Sequence, residues 1–282
     1  MEAKSVTLVT KEVRLLPIGD IQFGAPGCDI DLLERHIAWG MEQDCYFVGM
    51  GDYLDVMSPS NRRKWAEVNA ALYDSVRLAF DEKMASEEEK LERILAPTKG
   101  RWFGLISGHH YYPFLDGTTS VSRLAAFLDC PELGDCATVT LKLKERKNAP
   151  LCPIIIWLHH GAGSSQMAGG MLNKIEHASK RAFANIYLMG HQHAKPATQI
   201  PYVLTTVDAD DNPIQHEIDR YLVGTGGFLK GYELGTKDPL GHPSGSYIEK
   251  AMLSPVTLGG PMLYIRPRFS KGMPDPSIRV SV

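Results

Sequence analysis

The sequence predicts an α/β protein, and three observations carry that expectation. Short β-like runs alternate with segments of helical periodicity as far as residue 193, the runs end repeatedly at Gly-Asp or Gly-His, and the remainder from 194 on is rich in β-formers broken by Pro and Gly. In open α/β sheets ligand sites gather at the carboxyl ends of strands, so polar residues that close several strands can meet in space.

Residues 6–10 and 13–18 alternate in the manner of strands, and the second run stops at Gly19-Asp20 before the loop FGAPGCD. Residues 29–43, DIDLLERHIAWGMEQ, space their apolar side chains as a helix does, behind Asp29, a residue suited to accept from the unpaired amides of a first helical turn. CYFVGMGD is again a strand ending in Gly-Asp, which completes β–α–β. Residues 60–96 contain neither Pro nor Gly and are dominated by helix formers, so one long helix or two stacked ones are expected. RWFGLISGHH is a third strand with a polar end, and ATVTLKLKE and CPIIIWLHHG are two more. The glycine-rich loop GAGSSQMAGG, an amphipathic helix at about 171–183 and the strand NIYLMGHQH follow.

Composition excludes several classes. The 282 residues are 44% hydrophobic and 22% charged, and no apolar run approaches the ~20 residues of a membrane-spanning helix, so no membrane association is expected. The first residues alternate charge with β-formers and lack the apolar core of a secretory signal. Five scattered cysteines without C-x-x-C spacing argue against a disulfide framework and a thiolate zinc site, and point to a reducing, cytoplasmic setting. A net charge of −3 creates no global attraction for nucleic acid, so such a substrate would need a local basic patch. The P-loop, nucleophile-elbow and H-E-x-x-H signatures are missing. GTGGFLKG at 224–231 has no helical pattern behind it and reads as a turn.

The strand ends share one chemistry. GDIQ supplies Asp20 and Gln22, GDYLD supplies Asp52 and Asp55, GHH supplies His109 and His110, LHHG supplies His159 and His160, and GHQH supplies His191 and His193. Carboxylate, imidazole and amide donors without thiolate suit divalent ions such as Mn, Fe, Zn or Ni better than Ca or Cu(I). Each run also has a plainer reading: Asp20 and Asp52 as helix caps, the paired histidines as core residues bonded to carbonyls, G-H-x-H as a solvated turn. Those readings leave the common theme of all five unexplained.

In order and spacing these runs resemble the calcineurin-like metallophosphoesterases, whose motifs are D-x-H, G-D-x-x-D, G-N-H-[ED], a strand-end His before Gly, and G-H-x-H. The likeness covers residues 13–193, and HGAGSS and GGFLKGY are closer to phage and prokaryotic members than to eukaryotic protein phosphatases. It implies a single domain over 1–282 with four layers, α/β/β/α: a two-sheet sandwich flanked by helices, with a helical insertion at about 58–98 that serves as a lid or as a homo-oligomer interface. It also implies two divalent ions. Asp20, Gln22, Asp52 and His193 would hold one, and Asp52, His109, His160 and His191 the other, with Asp52 bridging. His110 falls at the family's catalytic histidine and Asp55 at its carboxylate partner; an imidazolium so paired has a raised pKa and can protonate a leaving alkoxide near neutral pH. The implied reaction is phosphoester hydrolysis by in-line attack of a hydroxide held on the metal pair.

Two positions depart from the family pattern. Gln22 stands where the motif has His, and its amide oxygen is a neutral, weaker donor. His109 stands where the motif has Asn, which makes the other set three imidazoles and one carboxylate. An asymmetric pair is expected, one oxygen-rich and labile, the other nitrogen-rich and tight. His160, directly before Gly161, is preferred as the ligand over His159, which is left to the other face of its strand or to substrate.

Substrate is read from the insertion. Arg62, Arg63 and Lys64 follow the second motif, and Arg62 and Arg63 can grip phosphate while Trp65 stacks on a base; the alternative is a solvated helix face whose Trp65, Val68, Leu72 and Val76 pack on the core. On DEKMASEEEKLER, Glu88 and Glu92 repel at i,i+4, and no chemistry is assigned there. A phosphodiester, either a nucleic-acid end or a nucleotide, is the expected substrate. The rivals are a phosphomonoesterase or protein phosphatase, and a degenerate metal-binding scaffold in which Gln22 and His109 record lost chemistry. Val56 counts against a protein phosphatase, because it stands where those enzymes carry a phosphate-gripping Arg.

Overall fold

Two sheets form the centre of the protein, seen in a computed structural model that describes residues 1–163, 165, 167–207, 210–238 and 240–282. The first sheet has the order β13 (Ser277–Ser281), β10 (Met262–Arg266), β2 (Val13–Ile18), β3 (Tyr46–Gly49), β4 (Trp102–Leu105). In it β2, β3 and β4 run parallel, and β10 is antiparallel to both of its neighbours. The second sheet has the order β1 (Glu2–Val9), β5 (Cys136–Lys144), β6 (Cys152–His159), β7 (Ile186–Met189), β9 (Pro213–Gly224), β8 (Ala197–Val207), with β6, β7 and β9 parallel. A small hairpin, β11 (Phe269–Ser270) and β12 (Met273–Pro274), stands apart from both.

Side-chain alternation along the strands makes the layers. In β2, Leu15 points between the sheets and Leu16 points outward, as a period of two requires. Leu15, Val48 and Phe103 meet Leu141, Ile156 and Leu188 of the other sheet in the central core. On the outer face of the first sheet, Leu16 and Phe47 pack with Leu33 and Ile37 of α1 (Ile30–Glu42), Leu91 and Leu95 of α3 (Asp74–Leu95), and Leu124 of α4 (Ser120–Phe127). On the outer face of the second, Trp157 and Tyr187 pack with Met171 and Ile175 of α5 (Ala168–Ser179). The result is the α/β/β/α sandwich expected from the sequence. No helix among the described residues is long and apolar enough to cross a membrane.

Local signals translate directly. Asp29 caps α1 by accepting from the Leu32 amide at 3.0 Å. The stretch without Pro or Gly folds as two helices, α2 (Pro59–Asn69) behind the cap Ser58, and α3. The expected core packing of Trp65, Val68 and Val76 is not observed. Every residue of α2 is at least partly exposed, Val68 is 51% exposed, and Trp65 meets Phe80 edge-on at 5.0 Å instead of the sheet. Burial begins only at Glu88 on α3, so the hairpin of α2 with the first half of α3 adds no buried residue to the core. The β-rich tail is also narrower than expected: between β9 and β10 lie isolated bridges and a four-residue helix, α6 (Tyr247–Lys250), where Pro and Gly interrupt any ladder. In the glycine-rich loop after β6, residues 164 and 166 lie outside the described residues.

Candidate metal centre

Strands β2, β3, β4, β6 and β7 deliver their carboxyl ends to one edge of the sandwich, three from the first sheet and two from the second. Each end continues into a short turn that carries the polar residues. Asp20, Gln22, Asp52, His191 and His193 have φ of +46°, +53°, +51°, +69° and +53°. Asp and His tolerate this left-handed region better than most residues, yet each such residue costs roughly 1–3 kcal/mol and persists where its surroundings over-determine it. Gly108, the glycine of GHH, is required by proximity: a Cβ there would collide with the amide and carboxylate of Asp52.

Asp52, His109, His160 and His191 each offer a ligand atom, and these atoms lie within 4.8 Å of one another. His160 Nε2 is 3.1 Å from Asp52 Oδ2, and His109 Nδ1 is 3.2 Å from His191 Nδ1. His160 Nδ1 lies 2.8 Å from the Met50 carbonyl, which can only accept, so this nitrogen holds a proton and Nε2 is the one turned to the cluster. Asp52 is 2% exposed and also accepts from the His110 amide at 2.8 Å and the Gln22 side-chain amide at 3.1 Å.

Asp20 adjoins this set and is fully buried. Its Oδ2 accepts from the His191 amide at 2.7 Å, while Oδ1 has no hydrogen-bond partner among the described residues and faces His193 Nε2 at 3.7 Å and His160 Nε2 at 4.0 Å. An orphaned, buried carboxylate oxygen opposite two imidazoles is the environment a cation would satisfy. The donor set of the nitrogen-rich cluster could therefore hold a divalent metal, with the orphaned Asp20 oxygen and His193 beside it.

Charge in the cluster follows from burial set against pairing. Burial raises Asp20 above the ordinary carboxylate range, with Asp52 adding to it against the neighbouring histidines. Asp52 is pushed up by burial too, but the hydrogen bond and charge of His160 outweigh this and hold it well below that range. Burial opposes the charge on His160, yet Asp20 and Asp52 lift it to about 9. Burial, with His160 and His109 beside it, depresses His191 to about 4, and burial and His160 also lower His109. Two imidazoles kept neutral beside a carboxylate kept ionised are ready to act as donors.

The remaining residues sit around this centre. His110 Nδ1 is 2.8 Å from Asp55 Oδ1 at the partly exposed rim, and that hydrogen bond is the main cause of the raised pKa of His110. His159 lies outside the cluster: its ring stacks on Trp157 with centroids 5.4 Å apart, and its Nδ1 accepts from the Gly161 amide. Arg62 donates through Nη1 to the carbonyls of Met57 and His109, both at 2.6 Å, and its guanidinium lies 3.8 Å over Tyr111. Arg63 is exposed on α2. One contribution was not legible from sequence. The GTGGF turn backs the centre, with the Phe228 amide donating to the Asp20 carbonyl at 2.9 Å, and a Cβ on Gly227 would stand 2.9 Å from Asp20 Cβ and 3.0 Å from His193 Nδ1. The available signal was a glycine pair immediately after a strand end.

No protein-family model matches the chain, and no curated protein matches it in sequence. Among solved structures the chain is similar to a Streptococcus pneumoniae protein described as a predicted phosphoesterase, with 8% identity, a TM-score of 0.36, and coverage of 95% of this chain and 98% of that one. It is similar to Vacuolar Protein Sorting 29 from Cryptosporidium parvum, with 12% identity, a TM-score of 0.35, and coverage of 96% and 99%. It is also similar to Vps29 from Chaetomium thermophilum, with 9% identity, a TM-score of 0.36, and coverage of 96% of each chain.

Proposed function

We propose that this chain is a metal-dependent phosphoester hydrolase of the calcineurin-like metallophosphoesterase type, acting on a phosphodiester such as a nucleic-acid end or a nucleotide. The observation that carries this reading is the convergence of Asp52, His109, His160 and His191 within 4.8 Å, beside the orphaned carboxylate oxygen of Asp20. Asp52, His109, His160 and His191 would hold one divalent ion, and Asp20, Gln22 and His193, with Asp52, would hold a second. Ions bound there supply Lewis acidity toward a phosphoryl oxygen and toward water.

The chain's own groups do the rest. The Met50 carbonyl keeps the His160 proton on Nδ1 and leaves Nε2 as the donor. Asp55 engages His110 at Nδ1, so Nε2 of that ring is the atom that gives a proton to the leaving alkoxide. Arg63, exposed on the helix that follows the second motif, is available to a phosphate of the substrate.

A scaffold that binds metal without turnover is the second reading, and what favours it is that Gln22 offers a neutral amide where the family motif has an imidazole. One assay separates the two. Purified protein is loaded with Mn, Ni or Zn and given bis-p-nitrophenyl phosphate, p-nitrophenyl phosphate, and labelled single- and double-stranded DNA. Metal-dependent cleavage of the diester, abolished by Asp52→Ala, is the expected result. Metal binding with no turnover on any substrate, and Asp52→Ala indistinguishable from wild type in the assay, overturns the hydrolase in favour of the scaffold.

A further inference from the structure

We propose that Arg62 is a positioning residue, through which the helical insertion holds the loop that presents His109 and His110 to the metal centre. The inference rests on the proposed metal site and departs from the expectation that Arg62 grips phosphate.

After β4 the chain runs without regular structure to α4, and within this loop two adjacent histidines must diverge, His109 into the ligand cluster and His110 to Asp55. From the body of the protein the loop is tied by the His110 amide, which donates to Asp52 at 2.8 Å. Ser107 is tied to the Gly134 carbonyl, and Tyr112 and Asp116 to Ser120 and Arg123 of α4; further ties come from the insertion. On α2, Arg62 Nη1 donates to the His109 carbonyl and to the Met57 carbonyl, both at 2.6 Å, and the guanidinium plane covers Tyr111 at 3.8 Å. On α3, Asp81 accepts from the Tyr112 hydroxyl at 2.8 Å and from the Leu115 amide at 3.0 Å. The two helices thus clamp residues 109–115, and the Arg62 contact falls on the ligand residue itself.

The chemistry of the side chain agrees. Both Nη1 protons serve carbonyls and one face lies on an aromatic ring, so the end-on Nη1/Nη2 fork is closed to phosphate and only the Nε/Nη2 side stays open. The same planarity suits it to bridge two carbonyls while stacking, which an ammonium cannot do. His109 offers its Nδ1 within 3.2 Å of His191 Nδ1, so a small displacement of its backbone moves a donor out of the set. The poor burial of α2 then has an explanation: the hairpin contributes to the loop at its base instead of to the core.

The test is a Co(II) absorption titration of the full chain, which reads ligand geometry without turnover, alongside KM and kcat on a diester. Arg62→Ala is expected to weaken Co(II) binding roughly 10–100-fold, the range for loss of an outer partner of a ligand. Arg62→Lys is expected to fall between that variant and wild type, Lys64→Ala to match wild type, and KM to change little in any of them. If Arg62→Ala does not fold, Arg62→Lys and Tyr111→Leu, which removes the stacked ring, decide the matter by the same readout. Wild-type Co(II) affinity in the Arg62 variants with a raised KM would overturn the proposal and make Arg62 a phosphate grip. Failure of the wild-type protein to bind Co(II) would overturn both this inference and the hydrolase beneath it.

Discussion

His160 Nε2 lies 3.1 Å from Asp52 Oδ2, a contact between residues that follow strands of different sheets. Both residues are buried, at 3% and 2% exposure, so the two halves of the sandwich meet at a charged pair shielded from water. Removing one member of a buried pair leaves the other charge uncompensated, at a cost of about 3–5 kcal/mol. Asp52→Asn is therefore expected to abolish metal binding and also to lower the stability of the metal-free protein by a similar amount. Metal content by mass spectrometry and the urea midpoint after chelation measure the two effects separately. Unchanged metal content in this variant would remove Asp52 from the ligand set.

In the proposed second set Gln22 is the weak member, because an amide oxygen is a neutral and weaker donor than imidazole; its NH2 donates to Asp52 at 3.1 Å. Replacement with an imidazole supplies the donor that the site lacks. Gln22→His is expected to raise bound metal toward two ions per chain at limiting free metal, and to raise turnover with it. Equal stoichiometry in the variant and wild type under the same chelator-buffered conditions would sink the asymmetric pair.

The largest contribution to the raised pKa of His110 is its hydrogen bond with Asp55. In the proposed role of proton donor, His110 would act while protonated, so the rate is expected to fall as pH rises through its pKa. Asp55→Asn removes the carboxylate, lowers that pKa, and is expected to move the alkaline fall of kcat/KM to lower pH. A profile that keeps its position while the rate drops would assign Asp55 to steric support alone.

Glu88 is 4% exposed, and its Oε1 has no hydrogen-bond partner among the described residues; the Arg123 guanidinium stands 3.9 Å from its other oxygen. Burial pushes its carboxyl up to about 8, with Glu92 and Asp116 adding to the shift and Arg123 opposing it. Because the folded pKa lies above the unfolded one, the stabilising proton is fully present below about pH 4 and is lost as pH rises toward 8. Glu88→Gln cannot ionise, so it is expected to flatten this slope and to be the more stable form at pH 8. Urea midpoints of both proteins at pH 5 and pH 8 test it, and parallel pH dependence would count against an ionising Glu88.

Much of the architecture was legible because it follows from short-range patterns. Alternation gave β2 its two apolar faces, the cap at Asp29 started α1 at Ile30, and the absence of Pro and Gly marked α2 and α3. The helix α4 has no counterpart in the sequence reading, since its eight residues show little more than two turns of periodicity. Val68 and Val76 carried a core-like spacing onto an exposed hairpin, because spacing states which residues share a helix face and not what that face meets.

The candidate metal centre divides along the same line. The residue types at the strand ends, and the fact that parallel strands deliver them to one edge, are properties of the chain taken by itself. His160 is preferred over His159 from the family likeness alone, because the strand's own pattern does not say which of the two turns inward. Successive side chains leave a strand on opposite faces, so His159 must accompany Trp157, and His160 must accompany Leu158. Strand β6 is apolar along its length, however, and its alternation cannot tell the face toward the other sheet from the face toward α5. Packing made that choice. It also placed Gln22 as a donor to Asp52, brought Gly227 behind Asp20, and set Arg62 on the His109 carbonyl. These contacts join residues far apart in the chain through turns that have no repeating pattern, so the sequence named the groups and the tertiary structure alone decided which atoms face one another.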